Sequence, residues 1–150
     1  MSDLADLYQQ VIIEHNRSPR NFKAIENASR VIAGDNPLCG DKITLYVQLD
    51  GDVISDIGFQ GKGCAISQSS ASLMTGAVKG KTIAEAEKLF HGFHDMVTGE
   101  NASPDLKSLG KLAAFAGVKQ YPSRVKCANL AWHTLHGAIA TPEAEVVSTE

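Results

Sequence analysis

Residues 43–59 read ITLYVQLDGDVISDIGF, and this stretch decides the fold. Apolar side chains alternate with other side chains from Ile43 to Leu49, and the alternation resumes at Val53. A period of two places the apolar side chains on one face of a β-strand. Asp50-Gly51, between the two runs, is a turn sequence typical of hairpins. The stretch therefore predicts a β-hairpin with one buried face.

Helices are predicted on both sides of this hairpin. Apolar residues at helical spacing open the chain, Pro19 ends that helix, and a short strand is expected from Arg30 to Ala33. Further helices are expected from near Cys64 to Val78, from the capping box of Thr82 and Glu85 to about Gly99, from Ser103-Pro104 to Gly117, and from the cap Ser123 to Thr141-Pro142. These elements predict a single α+β domain over residues 1–150, with helices packed on a small, mainly antiparallel, three-stranded sheet. The acidic residues 141–150 are expected to form a mobile tail.

Composition excludes several classes of function. The chain has 150 residues, 43% of them hydrophobic, which is enough for an ordinary core without disulfides. A net charge of −3 with no run of Lys or Arg predicts neither nucleic-acid binding nor attachment to an anionic membrane. The first residues lack the basic and apolar regions of a signal peptide, and no apolar stretch is long enough to span a bilayer. We therefore expect a cytoplasmic protein whose partners are proteins or small molecules.

The three cysteines all stand at the ends of predicted elements. Cys39 follows a proline turn, Cys64 follows Gly61-Lys62-Gly63 at a helix start, and Cys127 falls in the first turn of the last predicted helix. Asp41 lies two residues after Cys39, so in a strand both side chains leave the same face. A helix N-terminus favours thiolate over thiol. Three thiolates and one carboxylate form a donor set that suits Zn²⁺.

Other interpretations of these residues remain open. A free cysteine taken alone is most often a small buried apolar residue. A purely structural zinc module is disfavoured by the carboxylate, because closed structural sites use Cys and His. Four histidines are spaced three apart on predicted helices, but no Glu lies between them as in H-E-x-x-H, so we interpret them as helix-face residues: His91, His94, His133 and His136.

Four segments carry a resemblance to a known family. They are HNRSPRN at 15–21, NPLCGD at 36–41, GKGCAISQSSAS at 61–72 and RVKCA at 124–128. These segments resemble the signatures of the IscU/NifU-type iron–sulfur cluster assembly proteins, and the chain is most similar to their SufU branch. The resemblance implies the small α+β fold of that family, and it implies metal ligation by Cys39, Asp41, Cys64 and Cys127.

The chain departs from the IscU scaffold type in three places. Lys126 stands where the scaffold type has a histidine immediately before the last cysteine. The sequence YPSRV at 121–125 replaces the Leu-Pro-Pro-Val-Lys motif that the Hsp70 chaperone grips. The stretch between Cys64 and Cys127 is longer, with the surplus expected around residues 104–116.

These departures favour one function within the family. The resemblance implies a zinc-dependent sulfurtransferase that takes persulfide sulfur from a SufS-type cysteine desulfurase onto Cys39 and serves downstream iron–sulfur assembly proteins. Arg124 is expected to steer the reacting sulfur. The alternative is a scaffold on which an Fe–S cluster is built, although Lys126 is a poor replacement for an imidazole ligand. We expect a monomer or a weak dimer.

Overall fold

The computed structural model describes residues 3–37, 40–100, 106–140 and 146–148. Five α-helices, four β-strands and one 3₁₀ helix are found in these ranges. In chain order they are α1 (Asp3–Arg17), β1 (Arg30–Asn36), β2 (Asp41–Asp50), β3 (Val53–Lys62), α2 (Ala65–Val78), α3 (Ile83–Thr98), α4 (Leu106–Leu109), the 3₁₀ helix (Gly110–Gln120), α5 (Pro122–Ala140) and β4 (Val146–Ser148).

The four strands form one sheet in the order β3-β2-β1-β4. The predicted hairpin is confirmed, because β2 and β3 pair antiparallel with Leu45 opposite Phe59. Strand β1 pairs antiparallel with β2 and completes the three-stranded antiparallel sheet that the sequence predicts. The short strand β4 was not predicted. It pairs parallel with β1, with Ala33 opposite Val146, and it lies within residues 141–150, whose mobility stays a prediction.

Strand β1 is three residues longer than the sequence predicts, and this extension matters for the site. Its buried positions are Ile32, Gly34 and Asn36, in strict alternation. Gly34 lies so close to α5 that an added Cβ would meet the side chain of Thr134. Tertiary packing therefore continues the strand through Gly34-Asp35-Asn36, a sequence with low intrinsic β-propensity.

The helices cover the face of the sheet that the hairpin alternation marks as apolar. Ile43, Leu45 and Val47 of β2 are buried, as are Ile57 and Phe59 of β3. Helix α5 lies against β1 and β2 and is itself packed by α2 and α3. Trp132 of α5 is fully buried and stacks on Phe93 with ring centroids 5.0 Å apart. This central helix carries Cys127 into the interior.

Local sequence signals fix two helix starts as predicted. Thr82 and Glu85 form the predicted capping box at the start of α3, and Gly99 ends that helix in the left-handed conformation at φ 79°. Cys64 is the N-cap of α2. At both positions the side chain of the cap residue accepts one N–H of the first helical turn.

Two other helices differ from the prediction. The helix expected over 103–117 is a short α-helix, Leu106–Leu109, followed by a 3₁₀ helix from Gly110, whose φ of 58° interrupts the α-helical path; Ser103 and Pro104 lie outside the described residues. Helix α5 begins at Pro122, so Ser123 is not its cap. Proline is well suited to the first helical position because it lacks an N–H that would otherwise be unpaired. Among the described helices, none is both long and apolar enough to cross a bilayer.

Gly34→Ala is expected to destabilise the fold by about 1–3 kcal/mol, because the new methyl overpacks the contact between β1 and α5. Its Cβ would lie 2.9 Å from Ile43 Cγ2 and closer still to Thr134 Oγ1. Urea unfolding measures the change. Gly92→Ala is the matched control, since its Cβ would meet only Leu109 at 3.5 Å. Adding Thr134→Ala should recover part of the loss; a Gly34→Ala variant as stable as wild type would contradict this packing.

Candidate metal centre

The centre begins at the turn between β1 and β2. Asn36 and Asp41 are paired across the two strands, and Gly40 N–H donates to the Asn36 carbonyl at 2.9 Å. Asp41 shares the buried face of β2 with Ile43 and Leu45, so its carboxylate lies under the helices and is only 1% exposed. The alternation that forms the sheet thus also aims a carboxylate at the helix layer.

Cys64 stands at the N-terminus of α2, as the sequence predicts. Its backbone N–H donates to Asp41 Oδ1 at 2.9 Å, and its sulfur accepts the N–H of Ser67 at 3.5 Å. A Cβ at Gly63 would lie 2.6 Å from Asp41 Oδ1, so glycine is needed for this approach. The backbone thus approaches the carboxylate closely at Gly63, whereas Gly61 and Lys62 belong to β3.

Cys127 comes to the same place from α5. It is 3% exposed, and its sulfur lies 3.7 Å from Nδ2 of Asn36, which is itself fully buried. The prediction that Cys127 stands in the first turn of its helix is wrong. With α5 starting at Pro122, its N–H lies beyond the first turn. The nearby N–H donor is therefore a side chain of β1 rather than a free helix terminus.

These three residues can hold a metal ion. One ligand atom each from Asp41, Cys64 and Cys127 lies within 4.8 Å of the other two. The 3.9 Å between Cys64 Sγ and Asp41 Oδ2 is near the roughly 3.5 Å between sulfur and oxygen ligands of tetrahedral zinc. In the described part of the chain no Lys, Arg or His pairs with the Asp41 carboxylate. Burying an unpaired carboxylate is costly, so a cation between these groups fits the donor set.

Cys39, predicted as the fourth ligand, lies outside the described residues. Asn36, Ser67 and Gly63 contribute to the centre without having been singled out as site residues. One sequence signal for the burial of Asn36 was available, because Ile32, Gly34 and Asn36 follow one another at intervals of two. Gly34 has no apolar side chain, so the alternation is not visible in the sequence. The burial of Asn36 depends on α5, which the local sequence does not show.

Arg124 lies at the edge of a groove beside Cys64. The groove has a volume of about 630 Å³ and runs between α1, the start of α2 and the 3₁₀ helix, with Ile12 and Ile13 among its walls. The Arg124 guanidinium stacks 4.4 Å from the ring centroid of Tyr121. The structure thus brings Arg124 and Cys64 to one surface, and the steering role of Arg124 stays a prediction.

Comparison with known proteins agrees with this arrangement. The model of the NifU-like N terminal domain matches residues 7–128. The chain belongs to the NifU-like N-terminal domain family. It is 44% identical over 142 residues to the zinc-dependent sulfurtransferase SufU of Bacillus subtilis, covering 95% of both chains.

Further relatives of this NifU-like domain have other descriptions. The iron–sulfur cluster assembly scaffold protein IscU of Streptococcus pyogenes is 42% identical over 139 residues, with 93% of this chain and 86% of that protein covered. A solved structure of a proposed iron–sulfur cluster assembly scaffold protein for the SUF system, from Fervidobacterium islandicum AW-1, matches with a TM-score of 0.82 and 41% identity. That match covers 87% of this chain and 94% of the other. The predicted family and fold are therefore confirmed.

The four histidines gather around Phe90 of α3. Their ring centroids lie 4.7–5.8 Å from that of Phe90, and His136 Nδ1 is 2.9 Å from Glu87 Oε1. Among the described residues, no histidine belongs to the set of ligand atoms at the cysteine centre. His94, Asp95 and Glu100 form a second set, whose ligand atoms lie within 4.8 Å of one another. The interpretation of the histidines as helix-face residues agrees with their stacking in the NifU-like fold.

Asp41→Asn is expected to weaken zinc binding by more than about 100-fold. The amide oxygen can still accept the Cys64 N–H, so the fold is kept while an anionic ligand is lost. Mutating a residue that only hydrogen-bonds a metal ligand already weakens metal binding by about 10- to 100-fold. Competition against a chromophoric chelator measures the affinity. Asp35→Asn, one residue before Asn36 and directed to the other face of β1, is the matched control. Wild-type zinc affinity in Asp41→Asn would remove this residue from the ligand set.

A second prediction concerns the stability of the domain as the pH falls. Burial, and then the neighbouring His94 and His136, lower the pKa of His133 below its usual 6.5. The unfolded chain therefore takes up a proton that the folded chain resists, and stability should fall as the pH drops from about 7 to about 5. Burial likewise lowers the pKa of His15, which adds to this slope.

His133→Gln should make this pH dependence shallower without abolishing it. Urea midpoints measured across the pH range provide the test, with His91→Gln as a control at an exposed ring of the same cluster. An unchanged slope in His133→Gln would show that His133 is not protonated preferentially in the unfolded chain.

Proposed function

We propose that this chain is a zinc-dependent sulfurtransferase that accepts persulfide sulfur from a SufS-type cysteine desulfurase for iron–sulfur cluster assembly. The observation that carries the proposal is the buried Asp41 carboxylate, which lies against the Cys64 and Cys127 sulfurs without a cationic partner among the described residues. The similarity to Bacillus subtilis SufU over 95% of both chains supports it. The expected cytoplasmic location is consistent with such a role.

Four residues would hold the zinc in this proposal: Cys39, Asp41, Cys64 and Cys127. Bound zinc supplies one chemical property here, which is to keep coordinating thiols deprotonated at neutral pH. Four anionic ligands leave the site with a formal charge of 2 − 4 = −2, so nearby cations stabilise it. Arg124 and Lys126 lie on α5 within three residues of Cys127 and can supply that charge.

Cys39 is the proposed sulfur acceptor. In the sequence it falls between Asn36, where β1 ends, and Asp41, where β2 begins, whereas Cys64 caps α2 and Cys127 lies within α5. Its thiolate attacks the terminal sulfur of the desulfurase persulfide. A new S–S bond forms on Cys39 as the S–S bond on the desulfurase breaks, and the desulfurase cysteine leaves as a thiolate. The transfer is balanced without an added oxidant or reductant.

The groove beside Cys64 is the proposed docking surface for the desulfurase. Ile13 at its wall is 46% exposed, and Tyr121 next to Arg124 is 49% exposed. Such apolar exposure beside one cation suits a protein segment that brings an anionic persulfide. In this arrangement the Arg124 guanidinium orients the incoming sulfur toward the centre. Downstream iron–sulfur assembly proteins would receive the sulfur next, from a carrier that is a monomer or a weak dimer.

The alternative function is a scaffold for a nascent Fe–S cluster. The scaffold descriptions of the Streptococcus and Fervidobacterium relatives favour it, whereas Lys126 before the last cysteine disfavours it. Anaerobic incubation of the zinc-loaded protein, and of zinc-free protein in parallel, with iron, cysteine and desulfurase distinguishes the two. A sulfurtransferase retains persulfide on Cys39, seen as one added sulfur atom by mass spectrometry. A scaffold instead develops the visible absorption of a cluster that survives gel filtration.

Arg124→Ala is expected to retain zinc and stability while losing stimulation of the desulfurase by about tenfold or more. The physical reason is the loss of a charge-assisted contact, which contributes about 1.5–3 kcal/mol. Sulfide release from cysteine measures the stimulation, and chelator competition measures zinc. Arg17→Ala, an exposed arginine at the end of α1, is the matched control. Cys39→Ala should abolish sulfur acceptance.

Two outcomes would contradict the proposal. Wild-type stimulation by Arg124→Ala would exclude the steering role of this residue. Sulfur acceptance by Cys39→Ala, with persulfide found on Cys64 or Cys127 instead, would exclude Cys39 as the carrier.

A further inference from the structure

A second cavity lies apart from the metal centre, between α1, α2 and the start of the 3₁₀ helix. Its volume is about 360 Å³, and none of the described ligand residues lines it. His15, Arg20, Ser72 and Lys111 form its polar part, and leucines, among them Leu73 and Leu112, form its apolar wall. The proposed sulfur transfer makes no use of it.

The polar part is built on a buried hydroxyl. Ser72 is fully buried, and its Oγ lies 2.7 Å from His15 Nδ1 and accepts the backbone N–H of Arg20 at 2.8 Å. His15 is itself only 7% exposed. These contacts hold the imidazole through Nδ1, so Nε2 is the ring nitrogen available to a ligand. The two residues joined in this way are 57 positions apart in the chain, which makes the arrangement tertiary rather than local.

The charge at this end of the cavity is positive. Arg20 is paired with Glu14, whereas the Lys111 ammonium has no carboxylate partner within the described ranges. No Asp or Glu lines the cavity. Burial, and then Arg20 and Lys111, lower the pKa of His15, while Glu14 opposes this change. Arg20, Glu14 and Lys111 together leave one net positive charge next to a neutral imidazole.

We propose that this cavity binds the carboxylate of a small amphipathic acid. The single net positive charge matches a monoanion, with the carboxylate between Lys111 and His15. The leucine wall gives an acyl or alkyl chain a surface to bury, which inorganic phosphate could not use. A dianion would also bring a second charge that no unpaired cation of the cavity neutralises.

The experiment titrates zinc-loaded full-length protein with acetate, butyrate, hexanoate and inorganic phosphate, following the His15 imidazole resonances by NMR. His15→Gln assigns those resonances. Affinity is expected to rise by about fourfold for each methylene that is buried, and phosphate should bind no more tightly than acetate. Lys111→Gln should weaken hexanoate by about tenfold to a hundredfold through loss of a charged contact. Lys107→Gln removes the same charge from the neighbouring α4 and should leave the affinity unchanged.

A second variant tests the cavity by filling it. Gly76 of α2 lines the cavity, and a Cβ there would meet no atom within 4 Å. Gly76→Leu should therefore abolish hexanoate binding, and it should not lower the urea midpoint, because leucine is a better helix former than glycine. Four results would each overturn the proposal: no shift of the His15 resonances at tens of millimolar acid, affinity independent of chain length, tighter binding of phosphate than of hexanoate, or full binding by Gly76→Leu.

Discussion

The structure depends on how a single buried carboxylate is accommodated. Asp41 lies on the core face of the sheet, where its neighbours in the same row are Ile43 and Leu45. Moving an ionised carboxylate out of water costs several kcal/mol unless other groups compensate. The Cys64 N–H at the start of α2 compensates in part through a hydrogen bond to Oδ1 and the positive end of the helix dipole. The remaining requirement for positive charge is what makes this point in the fold a candidate metal centre.

Each group at the centre is positioned by a strand or helix whose formation is explained by its own sequence pattern and packing. The hairpin alternation directs Asp41 inward, the glycine before Cys64 allows α2 to begin against that carboxylate, and the packing of α5 on β1 carries Cys127 over Asn36. Asn36 and Cys127 are 91 residues apart, so this contact requires the nearly complete fold. A metal bound at this centre would link Asp41, at the start of β2, to Cys127 in α5. If it stayed bound after unfolding, it would close a long loop and so lower the conformational entropy of the unfolded chain.

Features that rest on contacts between near neighbours in the chain could be predicted from the sequence, whereas features that rest on tertiary packing could not. The hairpin, the capping box at Thr82 and the helix start at Cys64 rest on neighbours a few residues apart, and the structure has all three. The extension of β1 to Asn36 could not be predicted, because it rests on the packing of Gly34 against Thr134. The 3₁₀ helix after Gly110 and the start of α5 at Pro122 depend likewise on how that segment fits between α1, α3 and α5. The three cysteines were recognisable as candidate ligands because cysteine is rare in the chain, whereas the amide of Asn36 resembles that of any other polar turn residue.

The borders of the sheet restrict how other molecules can recognise this domain. On one side β4 pairs with β1. On the other, Phe22 and Thr82 form single bridges with β3, and the ring of Phe22 packs edge-on against Phe59. Gly58 lets the segment around Lys23 lie directly on that strand, since a Cβ there would strike the Lys23 carbonyl oxygen. These contacts cover part of each border of the sheet, where they hinder extension of the sheet by strand addition and edge-to-edge aggregation.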